Sequence, residues 1–83
     1  MDTVAERAYT EHGQLLKNAR AKRGITQLYL AYKTGIPVRM IQEYEQGRCV
    51  PSADRLIKIM VELRVDVETL MAIIENNEKR MLA

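Results

Sequence analysis

From Thr26 to Gly47 the chain reads TQLYLAYKTGIPVRMIQEYEQG, two short helix-patterned runs joined at one glycine and closed by another. Glycine enters the left-handed backbone region without steric cost. Gly24 is therefore expected to end a preceding helix, Gly35 to make a sharp turn and Gly47 to close the second run. Thr26 supplies a side-chain cap for the first run. Helical periodicity turns Leu30 and Ala31 inward from the first run, and Ile41 and Tyr44, three apart, inward from the second. The small Ala31 lets two helices approach closely. The stretch therefore reads as two short helices meeting at a tight turn.

The pattern continues on both sides. G-I-T-Q-x-x-L-A-x-x-x-G-I spans Gly24–Ile36, and I-x-x-Y-E-x-G spans Ile41–Gly47. Upstream, G-x-x-L-K-x-x-R runs from Gly13 to Arg20. Downstream come Pro51, Leu56, Ile59, Leu63, Val65 and Leu70. These segments, with the downstream residues falling into a fourth and a fifth helix, cover roughly two-thirds of the chain and resemble the Cro/CI (Xre) helix-turn-helix family. The resemblance implies an all-α, five-helix lambda-repressor-like DNA-binding domain. It also implies a repressor-type regulator, bacterial or phage-like, that binds an inverted-repeat operator in double-stranded DNA as a homodimer.

Charge and length fit that expectation. Eighty-three residues make one small core, near the lower limit for a helical bundle without disulfides or metal, so a partner subunit has a use. The net charge of +2 is unevenly spread. Residues 14–51 carry Lys17, Arg20, Lys22, Arg23, Lys33, Arg39 and Arg48 against only Glu43 and Glu45, whereas both flanks are slightly acidic. Such a basic segment suits a polyanion. No apolar run approaches the roughly 20 residues of a membrane span, and no leader pattern opens the chain, so a cytoplasmic protein is expected. Cys49 is the only cysteine and His12 the only histidine, which leaves no disulfide and no metal set. Cys49 is expected in a loop and His12 on the surface. No cofactor and no small-molecule ligand are expected. No phosphate-binding loop, nucleophile set or carboxylate pair stands out, so the chain reads as a binder rather than an enzyme.

Domain organisation is read as residues 1–12, an N-terminal extension; 13–75, the helix-turn-helix domain; and 76–83, a tail. In the extension Val4, Ala5, Ala8 and Tyr9 fall at four-residue spacings. That allows a backward continuation of the first helix, a separate helix broken near Gly13, or fraying. The first helix proper is expected over about Gln14–Arg23, with Leu15, Leu16 and Ala19 inward. The next two are expected over about Gln27–Thr34 and Pro37–Gln46. A fourth, over about Ala53–Leu63, is capped by Ser52 and buries Leu56, Ile59, Met60 and Leu63. A fifth, over about Val67–Lys79, is capped by Asp66 and turns Leu70, Met71 and Ile74 inward. Ile57, Val61, Ile73, Ile74 and the tail Met81–Leu82 are in excess of that core, which makes the C-terminal helices the expected dimer surface.

The candidate site lies on the second and third helices. Gln27 begins a helix, where free backbone amides and the dipole attract phosphate, and its own amide is a second donor. Lys33, Gln46 and Arg48 are the other expected phosphate contacts. On the third helix the face away from Ile41 and Tyr44 carries Val38, Arg39, Gln42 and Glu43, the expected base readers. Arginine matches guanine, glutamine matches adenine, and an apolar side chain matches the thymine methyl. Glu43 must accept from cytosine N4 or repel phosphate. By the resemblance, Arg20 pairs with Glu45 as a structural ion pair. Pro37 departs from the serine or threonine cap usual in the family. With Val38 and Glu43 it motivates an alternative, a protein-interaction module on the same fold, such as a transcriptional bridging factor or antitoxin.

Overall fold

Three glycines at positive φ, Gly24 (76°), Gly35 (74°) and Gly47 (76°), stand at the ends of three successive helices. The computed structural model describes residues 4–66, 68, 71, 72 and 75, with side chains from Tyr9 onward. Four helices follow in order: α1 (Val4–Arg23), α2 (Gln27–Thr34), α3 (Val38–Glu45) and α4 (Ala53–Leu63). No strand occurs among the described residues. The expected fifth helix falls largely outside them; Glu68, Met71, Ala72 and Glu75 have helical backbone, and the described elements number four.

Local chemistry sets these ends. Thr26 Oγ1 accepts from the Tyr29 amide at 3.0 Å, and Ser52 Oγ accepts from the Arg55 amide at 3.3 Å, each satisfying a donor at a helix start. Gly35 returns its amide to the Ala31 carbonyl at 2.9 Å. At the end of α4 the left-handed residue is Arg64 (φ 52°), a backbone state in which most side chains are strained. It still donates its amide to Val61 O at 3.3 Å.

The core forms where α3 packs on α1 and α2, and α4 closes against α2 and α1. Leu16, Leu30, Ile36, Ile41, Ile59 and Leu63 are its aliphatic members, and the small Ala31, expected to face inward, is buried among them. Truncating any of the fully buried Leu30, Ile41 or Ile59 to alanine costs about 2–5 kcal/mol. Tyr44 is buried as well, and its hydroxyl accepts from Arg55 Nη1 at 3.0 Å, tying α3 to α4. Leu15, Ala19 and Leu56, expected inside, are only partly buried around this cluster.

In the N-terminal region one open alternative is settled and one expectation is corrected. α1 runs unbroken from Val4 through Gly13, the backward continuation that the spacing allowed, so the first helix begins ahead of Gln14. Gly13 serves as a contact instead. A Cβ built there would lie 2.5 Å from the Tyr44 carbonyl oxygen and 2.6 Å from that of Glu45, so hydrogen alone fits between α1 and the end of α3. His12, expected on the surface, is 1% exposed. Its sequence neighbours are polar or small, so nothing local in the sequence signalled the burial.

Candidate nucleic-acid interface

The turn between α2 and α3 is short because Gly35 reverses the chain and Ile36 drops at once into the core. Thr34 assists. Its hydroxyl donates to Leu30 O at 2.7 Å and accepts from the Ile36 amide at 3.3 Å. Pro37 then takes the N-cap position of α3 at φ −56° and ψ 137°, with no side-chain cap. A serine or threonine there is worth about 1 kcal/mol. The proline carbonyl still accepts from Met40 and Ile41, at 2.9 and 3.3 Å, so the helix starts without the cap.

The inner side of α3 is held by a closed network. Arg20 donates from Nε to Glu45 Oε2 at 2.7 Å and from Nη2 to Oε1 at 3.0 Å, the two-pronged geometry that suits guanidinium and carboxylate. Its third donor, Nη1, reaches Ile25 O at 2.8 Å. Gln27 Nε2 donates to Glu45 Oε1 at 3.1 Å. The Arg20 and Glu45 side chains are 15% and 4% exposed. Hydrogen bonding to Glu45 raises the Arg20 pKa against the opposing effect of desolvation, and the Glu45 charge adds to the rise. Gln27 therefore differs from its expected role in one respect. Its amide nitrogen serves Glu45, and Oε1 with the second N–H stays at the half-buried start of α2.

The outer side is open. Arg39, Gln42 and Gln46 are exposed, and with Glu43 they fall at the i, i+3, i+4 and i+7 spacings of one face. Val38, expected to touch a thymine methyl, is partly buried against the core at the leading end of α3. Lys33 is exposed in the last turn of α2. Glu43 is not bare: Arg48 Nη1 donates to its Oε1 at 3.1 Å, across side chains that are 27% (Glu43) and 66% (Arg48) exposed. The backbone pairs the same two residues, with the Arg48 amide on Glu43 O and the Gly47 amide on Tyr44 O, both at 3.1 Å. That is the Schellman closure of a helix around a left-handed glycine. Cys49 follows, its thiol pKa raised by burial and then by the Glu43 charge.

Apart from Val38 and Lys33, the candidate residues divide into two groups. Arg20, Gln27 and Glu45 meet in one network; Arg39, Gln42, Glu43, Gln46 and Arg48 share the outer face and its closing turn. Sequence reasoning missed Gly13 and Gly47 as contacts with their opposite elements. A Cβ on Gly47 would lie 2.9 Å from Thr10 Cα, so the closing turn is pressed onto the first turns of α1. The G-x-x-L-K-x-x-R pattern contained Gly13, but nothing in it distinguishes a close approach from a helix break. Among the described residues no three His, Cys, Asp or Glu side chains gather as a metal site, and no helix is long and apolar enough to cross a membrane.

A family model described as helix-turn-helix matches residues 16–70, more than half of the chain. No curated protein and no solved structure matches it. With the α2–turn–α3 geometry and the cap residues in place, the chain belongs to the Cro/C1-type, Xre-like helix-turn-helix family of DNA-binding domains.

Proposed function

We propose that the chain is a sequence-specific, repressor-type transcriptional regulator that lays the outer face of α3 in the major groove of duplex DNA. One observation carries this reading: Arg39, Gln42 and Gln46 are exposed together on a helix whose inner face is fixed by Ile41, Tyr44 and Glu45. The major groove admits an α-helix, and arginine and glutamine are the side chains suited to guanine and adenine edges. Lys33, Gln46 and Arg48 supply phosphate contacts around that helix, and Gln27 presents the N-terminus of α2 to another. A bacterial or phage-like regulator acts in the cytoplasm, where its DNA lies.

One recognition helix reads only a few base pairs, too few to select a site among the roughly 10⁶ or more competitors in a genome. Two copies on an inverted repeat solve this, their recognition helices about 34 Å apart. Ile57 and Val61, 63% and 70% exposed one turn apart on α4, are the apolar surface available for that pairing. Sedimentation equilibrium should show a dimer that an Ile57→Lys, Val61→Lys double variant dissociates. A dimer that survives both substitutions removes this interface.

The second reading is a protein-interaction module, favoured by Leu28 and Tyr32, 69% and 81% exposed one turn apart on α2. Titration with duplexes at several salt concentrations, followed by selection from a random pool, separates the two. A regulator gives a salt-dependent affinity and one enriched, symmetric site; a protein-binding module gives neither.

A further inference from the structure

We propose that Glu43 and Arg48 form a specificity gate, closed on each other in the free protein and on unrelated DNA. At the cognate site it opens, and Arg48 passes to a phosphate while Glu43 accepts from the exocyclic amine of a cytosine. The inference rests on the DNA-binding reading above and names what discriminates within it.

The backbone makes the two residues a unit. In a Schellman closure the positions joined by the outer hydrogen bond are commonly bridged by an apolar contact. Here the bridge is an ion pair, Arg48 Nη1 to Glu43 Oε1 at 3.1 Å, over the backbone bond from Arg48 N to Glu43 O at 3.1 Å. Gly47 packs against Thr10 of α1 with no room for a Cβ, and two backbone hydrogen bonds close the turn, so rotating the side chain is the least costly way to move the guanidinium. Arg48 spends one nitrogen on Glu43 in this pair, and its side chain is 66% exposed.

The magnitudes favour a gate over a lock. An ion pair this exposed shifts an equilibrium by about fivefold or less, so a phosphate can take Arg48 from it. What opposes opening is the carboxylate left behind. Glu43 shares the face of Arg39, Gln42 and Gln46, and an unpaired negative charge there is repelled by the phosphates of any sequence. It is tolerated where a base edge offers a donor, and cytosine N4 is the donor that glutamate matches. Closed, the pair is neutral and adds nothing to non-specific attraction. Open, it demands one C·G pair. The raised thiol pKa of Cys49, to which the Glu43 charge contributes, is consistent with that charge sitting beside the closing turn.

The test uses the full chain, Glu43→Gln and Arg48→Gln variants, an unrelated duplex, and the duplex that the wild type selects from a random pool, over a salt series. Glu43→Gln frees Arg48 and should bind the unrelated duplex about fivefold tighter. Its salt slope should steepen by about 0.9, one phosphate contact. The site it selects should no longer require one C·G pair. Arg48→Gln should weaken the unrelated duplex without flattening its slope, and flatten the slope by about 0.9 at the selected site alone. Equal flattening on both duplexes means that Arg48 holds phosphate everywhere and overturns the gate. So does a folded Glu43→Gln protein that binds the unrelated duplex no better than wild type. If Glu43→Gln fails to fold by circular dichroism, Arg48→Gln decides by itself, since its side chain is mostly in solvent. A wild type that binds no duplex overturns the DNA reading and the gate together, whereas the other failures leave that reading standing.

Discussion

Helix α3 carries two glutamates two residues apart, and each is paired with an arginine from outside the helix, yet the two pairs differ in almost every physical respect. Two positions along an α-helix differ by about 200°, so Glu45 points inward and Glu43 outward. Glu45 is 4% exposed, accepts from Arg20 twice and Gln27 once, and joins α1, α2 and α3. Glu43 is 27% exposed, accepts one side-chain bond, and its partner Arg48 belongs to the turn that closes its own helix. Burial turns the first pair into an obligation, because charges taken from water need every partner they have. Water leaves the second free to exchange. The inner pair fixes where α3 lies, and the outer pair stands among the groups that would meet a ligand.

Removing Glu45 should have the largest effect. Glu45→Ala strands the Arg20 guanidinium and the Gln27 amide, and urea unfolding should show a loss of about 3–5 kcal/mol. A fully stable Glu45→Ala protein that had lost only DNA affinity would place the inner pair in the interface and remove the contrast. Glu43→Ala, measured the same way, should cost less than about 1 kcal/mol.

Next in size is the seam that sets the inner side. In most helices glycine to alanine is favourable by about 0.5–1 kcal/mol. Gly13→Ala should reverse that sign and destabilise by about 1–3 kcal/mol, since its Cβ would meet two backbone carbonyls that cannot swing aside. Thermal unfolding of Gly13→Ala checks the sign, and a rise in Tm would mean that α1 and α3 lie farther apart.

On the outer face the effect should appear in binding and not in folding. Arg39→Ala should leave the unfolding midpoint nearly unchanged and cost about 1–3 kcal/mol of affinity, mainly at one base pair of the selected site. Competition titrations against single-base variants of that site measure it, and a uniform loss over all variants would make Arg39 a phosphate contact. The smallest effect concerns Cys49. Its pKa is raised chiefly by burial and secondarily by Glu43, so Glu43→Gln should lower it and modestly quicken alkylation at pH 8. An unchanged rate would put the Glu43 charge out of reach of the thiol.

Much of the local structure was legible in the residues, because it depends on neighbours within four or five positions. Thr26 and Ser52 cap as expected, and Gly24, Gly35 and Gly47 take the left-handed backbone where a helix had to stop. The apolar spacing located α2, α3 and α4 within a residue or so, and the inward set Leu30, Ala31, Ile41 and Tyr44 is buried. The outer face of α3 followed from the same periodicity read in reverse.

What only the tertiary structure decided involves residues far apart in the chain. Gly13 left a helix break and a helix continuation both open, and it is the point at which α1 touches the end of α3, a role invisible until both backbones are placed. His12 is polar and alone, two reasons to expect it at the surface, and it is 1% exposed in the folded chain. Gln27 turned its amide to a carboxylate 18 positions away, a pairing that exists only once α2 and α3 are packed together. Sequence specifies what happens within a turn of helix, since the interacting atoms are covalently near. Which surfaces then meet depends on the summed packing of all the helices, and no single stretch of this chain contains that sum.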